Sequence, residues 1–519
     1  MARILVVEDD AGQLEVRKLI LEQSGHEVVT AQTAAEALDR LPGCQLVLMD
    51  LQLPTPEDGV ELINAASGAA RIIVLSGGEL EKMPAVDAFL TKPCSSRKLL
   101  ETIARFCLLL ICFSVLHAAT VKVSHDRSEV VVELDLRAPG TDWGQEGKEA
   151  ALATVFVNGR AQQQIMLYAG SRQFAYTVFL GALAAGEHDV DVRGSGVEFS
   201  GARFHEDSSD VMANAPVLYA RANTIGKFTD IPLIVYCERV SQNGAPFLQY
   251  TVIFSNEDGG TSTRALMARW GRTNDVEYVY RVFLGAVGAF GRATIQAEGH
   301  KEVEFHGQRD GTHPLLMPIT DNNMIGEANT PTPIRYQIAP ILVDLTGHSR
   351  EEVIDQHPIA YEVMAKELQR EAKLRPFGAV DGEKVSDPLN YLYFEMKLAK
   401  RESFVATLVH LKGDPHWYSS HLGHADFAIR TWTRGAAESA NGFVRTTVEL
   451  PPGTRPDQIS EIGFECIVPE KAVSDSPCRV EAVTKCFFLD RDYRPGTNVW
   501  TLAVPQEIGT GQIWTSALR

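Results

Sequence analysis

Four short apolar runs, each ending in polar residues suited to chemistry, constrain this chain most. Ile4, Leu5, Val6 and Val7 lead into Glu8, Asp9 and Asp10. Leu46, Val47, Leu48 and Met49 lead into Asp50, and Ile72, Ile73, Val74 and Leu75 lead into Ser76. Ala88, Phe89 and Leu90 lead into Thr91, Lys92 and Pro93. Apolar runs of this length, separated by helical patterns, predict a parallel α/β sheet. In such sheets the working residues gather beyond the carboxyl ends of the strands. Glu8, Asp9, Asp50, Ser76 and Lys92 are therefore expected in one cleft. Three carboxylates, one hydroxyl and one ammonium suit a magnesium ion and a phosphoryl group, because clustered carboxylates need a cation and magnesium prefers oxygen.

The intervening sequence supports that sheet. Residues 11–24 read as a helix with Val16, Leu19 and Ile20 on one face and Ser24–Gly25 as a stop. Residues 26–31 read as a strand, and Thr33 is placed to cap a helix over 34–41. Pro42–Gly43 then breaks the chain. Residues 95–106 read as the last helix of this part, capped by Ser95 or Ser96.

The ordered set Glu8–Asp9, Asp50, Pro54, Gly59, Ser76, Phe89 and Lys92–Pro93 resembles the receiver domain of bacterial response regulators. The resemblance spans residues 1–106, about a fifth of the 519. Singly, each residue has a plainer reading, since acidic residues after a strand often cap the next helix and Lys–Pro often ends a strand. The whole set in this order favours the functional reading. The resemblance implies a flavodoxin-like fold with a five-stranded parallel sheet. It implies Mg2+ held by Asp9 and Asp50, by Glu8 through water, and by the backbone carbonyl of Gln52. It implies that Asp50 accepts a phosphoryl group from a sensor histidine kinase and forms an aspartyl phosphate, with Lys92 and Ser76 on the phosphoryl oxygens. Ser76 and Phe89 would then carry the conformational switch. One departure stands out. Between Ser76 and Lys92 the chain has only residues 77–91, with Gly77–Gly78 and Pro84. The fourth helix is expected to be truncated or absent, which puts in doubt output through the face family members use to dimerise or signal.

A chain of 519 residues predicts about three or four domains. Its net charge of −18 argues against general nucleic-acid binding, which needs a basic surface. No basic helix-turn-helix pattern follows residue 106, so no DNA-binding output domain is expected. The eight cysteines include no Cys-x-x-Cys pair. Cys466, Cys478 and Cys486 cluster near one another. Two of them would pair in an oxidising compartment, and all three would be buried thiols in cytoplasm.

Residues 107–116 are an apolar run followed by His117, Ala118 and Ala119, so that 107–119 resembles the core of a secretory signal peptide and its cleavage site. The run is short for a membrane span. Three readings stand: an apolar extension of the preceding helix, a short membrane-associated segment, or the junction of a cytoplasmic receiver with an exported protein. The third accounts for the change of pattern that follows.

From Thr120 onward the period is two. Val132, Leu134 and Leu136 alternate with Glu133 and Asp135, as in a half-buried strand. Residues 247–254 and 263–270 flank a Gly- and Asp-rich turn and read as a hairpin. Residues 176–183 recur at 280–287, and 197–201 at 303–307, at nearly the same offset. That pattern predicts two related β-sandwich-like domains, 120–210 and 211–345. It places Phe179 and Phe283, and Phe199 and Phe305, at equivalent buried strand positions. Residues 346–519 read as a helix, entered at Pro358 and carrying Ala360, Val363, Met364 and Leu368, followed by a β-rich domain.

Chemistry is sparse in this larger part. His416, His421, His424 and Asp426 are a candidate metal or ligand cluster, with Trp417 and Tyr418 able to stack on a sugar. The plainer reading is a surface loop, and it is the better one. Asn256, Glu257 and Asp258 lack the spacing of a calcium loop. No motif for nucleophilic, nucleotide or dinucleotide chemistry is evident, and no enzyme activity is expected. The sequence thus describes a phosphorelay receiver joined to β domains of unknown ligand. A receiver misjoined to a secreted or surface ligand-binding β protein, with glycans one candidate ligand, is the alternative, and a metal-dependent hydrolase in the C-terminal part is a second. The receiver is expected in cytoplasm, and residues 120–519 outside it if 107–119 acts as a signal.

Overall fold

The computed structural model describes the chain apart from residues 1–2, 24–25, 52–54, 67–69, 77–85, 93, 95–97, 101, 104–114, 222–229, 243, 258, 285–289, 330–331, 333, 380–381, 400–402, 431–441, 468–475 and 519. It divides into two compact units, Met1–Val115 and Leu116–Arg519. The segment expected to resemble a signal lies largely outside the described residues, and Val115–Val123 is a strand. The shortened stretch after Ser76 also falls mostly outside them. Among the described residues no helix is long and apolar enough to cross a membrane.

The first unit is a five-stranded parallel sheet. Its strands are β1 (Arg3–Val7), β2 (Glu27–Ala31), β3 (Leu46–Asp50), β4 (Arg71–Ser76) and β5 (Ala88–Thr91). Their order is β2-β1-β3-β4-β5. The apolar runs are continuous because both faces are covered. Leu5, Val7, Val47, Met49, Ile72 and Val74 form one core with Leu62, Ile63 and Ala66 of α3 (Pro56–Ala66). Ile4, Val6, Leu46, Leu48, Ile73 and Leu75 form the other, with Leu14 and Leu21 of α1 (Ala11–Gln23) and with Leu99 and Ile103. Alternation within each run sends successive side chains to opposite faces. Helix α2 (Ala34–Arg40) begins as expected, with the Thr33 hydroxyl accepting from the Glu36 amide at 3.2 Å.

One helix face was misread. Val16 and Leu19 of α1 are 58% and 53% exposed, while Leu14 and Leu21 are buried. Leu14 and Leu21 are seven residues apart, two turns, and so share a face. That face also carries Arg17, a charge that hides the stripe from an apolar count.

The second unit is built mainly of antiparallel sheets. A three-stranded sheet orders β10 (Phe174–Leu183), β7 (Ser128–Arg137) and β12 (Glu198–Asp207). A four-stranded sheet orders β6 (Val115–Val123), β11 (Gly186–Arg193), β8 (Leu152–Val157) and β9 (Arg160–Met166). Further on, a six-stranded sheet includes β14 (Pro232–Gln242), β15 (Ala245–Phe254), β16 (Val276–Leu284), β17 (Phe290–Ala297) and β18 (Lys301–Glu304), beside a five-stranded one that includes β13 (Val217–Tyr219). Residues 391–517 hold two more sheets that share one core, with Leu392, Phe394 and Met396 facing Val405, Val409, Ile462 and Phe464.

The matched sequence blocks do not occupy equivalent places. Strand β10 pairs with β7, and its other edge meets the 337–339 segment, where the Phe179 amide donates to the Gln337 carbonyl at 2.9 Å. Strand β16 lies between β15 and β17. Phe179 is fully buried, whereas Phe283 is half-buried. Phe199 sits in β12 against β7, but Phe305 follows β18, which pairs with β17. Like sequences give like strand propensity, and tertiary context sets the partner. One core also runs from Val121 to Leu489, across the expected boundaries at 210/211 and 345/346.

The expected hairpin is a strand and a helix. Residues Thr263–Trp270 are helical, begun by the Ser262 hydroxyl, which accepts from the Ala265 amide at 3.3 Å, and ended by Gly271 in the left-handed region. The Pro358 reading holds, with a helix over Ile359–Arg370 that buries Ala360, Val363, Met364 and Leu368.

Candidate functional site

The parallel sheet places its polar strand ends together. Glu8 follows β1 and Asp50 ends β3, while Ser76 ends β4 and Lys92 follows β5. The Lys92 amide donates to the Ser76 carbonyl at 2.8 Å, which carries the ladder to the rim. Glu8, Asp50 and Ser76 are buried, and Asp9 is exposed. The Lys92 ammonium stands 2.5 Å from Asp50 Oδ2 and 3.5 Å from Glu8 Oε2. Phe89 is half-buried in β5 against the core of one face. Gly59 in α3 is required by close approach, because a Cβ there would meet the Leu51 carbonyl at 2.1 Å. Gln52, Pro54 and Pro93 lie outside the described residues.

Glu8, Asp9 and Asp50 bring one ligand oxygen each within 4.8 Å of one another. An oxygen-only donor set with an exposed member fits a hard cation that keeps several waters. Among the described residues, Lys92 and one further cation offset the three carboxylates. That cation is Arg17, which pairs with buried Glu8 from the inward face of α1. Burial holds the Arg17 guanidinium below its ordinary range, and the Asp50 charge opposes that shift. The sequence reading missed Arg17. Completing the helical period from Leu14 to Leu21 was the signal that could have found it.

The C-terminal candidates do not converge. His416 Nδ1 lies 2.9 Å from Asp414, and His421 Nε2 lies 3.9 Å from Glu465. His424 lies against the Phe427 ring, and the Asp426 carbonyl accepts from Arg269 at 2.5 Å. The three imidazoles each turn to a different neighbour. Among the described residues a second group does converge, His348, Glu352 and Glu395. Its carboxylates are already engaged. Glu395 accepts from the Ser349 amide at 3.0 Å and the Thr484 hydroxyl at 2.7 Å, and Lys485 pairs with Glu352. Arg445 binds both oxygens of adjacent Asp355, at 3.0 and 2.7 Å. Two resident cations, Arg445 and Lys485, already balance these carboxylates.

Comparison with known proteins bears on the first unit. Residues 4–104 match the response regulator receiver domain family. The polar-differentiation response regulators DivK of Brucella ovis and Brucella suis are each 28% identical over 115 residues, covering 20% of this chain and 94% of the relative. A CheY-like receiver from Methanospirillum hungatei is 34% identical over 20% of this chain and 91% of its own, with a TM-score of 0.19. A receiver from Clostridium thermocellum is 26% identical over 21% of this chain and 100% of its own, with a TM-score of 0.20.

Proposed function

From residues 4–104 being a response regulator receiver domain, we propose that Asp50 is its phosphoacceptor and a sensor histidine kinase its donor. The observation that carries this reading is the Lys92 ammonium 2.5 Å from Asp50 Oδ2, among carboxylates at the strand ends. An Asp50 oxygen attacks the phosphorus of a phosphohistidine. The new bond is P–O, the broken bond is P–N, and the kinase imidazole leaves with the electron pair. Lys92 moves from the carboxylate to a phosphoryl oxygen as a point charge. The Ser76 hydroxyl donates to another, and Phe89 responds to that displacement. Asp9, Asp50 and Glu8 would hold a magnesium ion, which when bound would neutralise charge on the phosphoryl group. The full chain incubated with acetyl phosphate and magnesium should gain a phosphoryl group, and Asp50→Asn should not. Equal labelling of that variant would overturn the assignment.

A second reading concerns residues 116–519, which serve as a ligand-binding part made in an oxidising compartment. It is supported by the disulfide between Cys466 and Cys478 and by the signal-like sequence at 107–119, because such bonds persist outside reducing cytoplasm. Mass determination of the native protein separates the cases. One chain with a free Cys466 thiol would sink the second reading, and a product starting near Thr120 would support it.

A further inference from the structure

The second unit holds a cleft of about 1140 Å3 lined by β7, β10 and β12 together with segments around residues 310–313 and 335–337. His313 and Glu129, both buried, lie in its lining. His313 Nδ1 is 2.9 Å from the carbonyl oxygen of Ala215. A carbonyl only accepts, so Nδ1 bears a hydrogen. His313 Nε2 is 3.2 Å from each Glu129 carboxylate oxygen. Nε2 therefore faces the Glu129 carboxylate, and the two groups share that contact. Both imidazole nitrogens are thereby spent, and the ring rests 4.7 Å from the Phe179 ring centre. His313 holds Glu129 in place, while Glu129 keeps lone pairs that His313 does not use.

Two neighbours have hydrogen-bonding capacity left over. Strand β10 bulges between Phe179 and Ala182. The Phe179 carbonyl accepts from Gln163 Nε2 at 2.7 Å and from Gln337 Nε2 at 3.1 Å. Gln337 is thus fixed by its nitrogen, and its Oε1 is buried with no partner among the described residues. Arg335 Nη2 pairs with Asp310 at 2.5 Å, while Arg335 Nε is buried without a partner among those residues. Unmet buried polar atoms are costly, and native proteins resolve them with water or ligand.

Charge then sorts the ligands. Asp126, Glu206, Asp207 and Asp310 line the cleft besides Glu129, against Arg127 and Arg335. That excess of carboxylates disfavours anions. The remaining demand is for a group that donates to Glu129 and Gln337 and accepts from Arg335. A hydroxyl does both, whereas an ammonium only donates. We infer that this cleft binds a neutral hydroxyl-rich ligand of the oligosaccharide class, with Glu129 and Gln337 as acceptors, Arg335 as donor and His313 as the positioning residue. The role rests on residues 116–519 being a ligand-binding part and is independent of Asp50.

The test is calorimetric titration of the full chain with cellohexaose, maltohexaose, xylohexaose and mannohexaose, and with spermine. At least one hexaose should bind with a Kd below about 1 mM. Glu129→Gln should weaken it about tenfold or more. Arg335→Gln should do the same, and it leaves only the half-exposed Asp310 unpaired, so it guards against a folding defect in the first variant. His313→Gln, whose amide still donates to Glu129, should keep affinity that His313→Ala loses. Asp50→Asn should bind as the wild type does, which separates this outcome from any failure of the phosphoacceptor reading. Absence of hexaose binding, binding of spermine alone, or hexaose binding unchanged in folded Glu129→Gln and Arg335→Gln would each overturn the assignment.

Discussion

Arg17 and Glu8 form an ion pair at the inner wall of the acidic site, with the Glu8 side chain 1% exposed. Glu8 also lies 3.5 Å from Lys92. A buried carboxylate needs such partners, since removing one leaves charge uncompensated. Arg17→Met keeps the aliphatic stem and deletes the charge. With Lys92 remaining, the loss should be about 1–3 kcal/mol of local stability. Hydrogen exchange of β1 and β3 amides in the full chain reads it directly. Unchanged protection would mean that Lys92 alone satisfies Glu8.

Magnesium should act through the exposed member of the carboxylate group. Asp9 is accessible while Glu8 and Asp50 are buried. Millimolar magnesium is expected to raise exchange protection around β1 and β3 in the wild type, because a ligand bound only by the native state stabilises it. Asp9→Ala should lose most of that gain. Equal gains in both proteins would remove Asp9 from the ligand set.

The same residues show why the first unit was legible and the second was not. Parallel strands buried on both faces leave unbroken apolar runs, and Ile4–Val7 and Leu46–Met49 are such runs. Their polar ends are local in sequence, so Glu8, Asp50 and Ser76 could be read without a structure. Arg17 was hidden because it reaches Glu8 from another element. Residues 263–270 carried helix signals in Ser262 and Gly271, but the neighbouring turn sequence outweighed them. The matched blocks misled because closely similar short segments took different partners. The His313–Glu129 contact joins residues 184 positions apart, and no local pattern announces it.

The Glu257 carboxyl should make the second unit less stable as pH rises. Burial, reinforced by the Asp275 charge, pushes its pKa from 4.5 up to about 7. In the unfolded chain this group ionises near pH 4.5, while in the native state it stays protonated until about pH 7. The unfolded state therefore binds fewer protons across that window, and stability falls as pH rises through it. Glu257→Gln should remove this share of the pH dependence and gain about 2–3 kcal/mol at pH 8 relative to the wild type. Urea midpoints at pH 5 and pH 8 test it. Parallel pH dependences in the two proteins would show that Glu257 is ionised throughout.

Gly271 should be among the least replaceable residues of the second unit. It ends the helix Thr263–Trp270 at φ +64. The last carbonyls of that helix are taken by the strand Phe443–Glu449, with the Thr446 hydroxyl donating to Ala268 and the Thr447 hydroxyl to Met267, each at 2.6 Å. That docking leaves no room beside the cap. A Cβ at 271 would stand 2.6 Å from Thr447 Cγ2 and 3.1 Å from the Tyr393 ring. Gly271→Ala therefore combines left-handed strain with overpacking, an expected cost of about 2–4 kcal/mol. Gly299 is the control, with φ +72 and only Lys301 Cε, at 4.0 Å, near a new Cβ. Gly299→Ala should cost only about 1–2 kcal/mol, the strain alone. Urea unfolding of both variants separates the terms. Equal losses would mean that the strand Phe443–Glu449 shifts to accommodate a methyl group, and that the two threonine hydrogen bonds do not hold it against the helix.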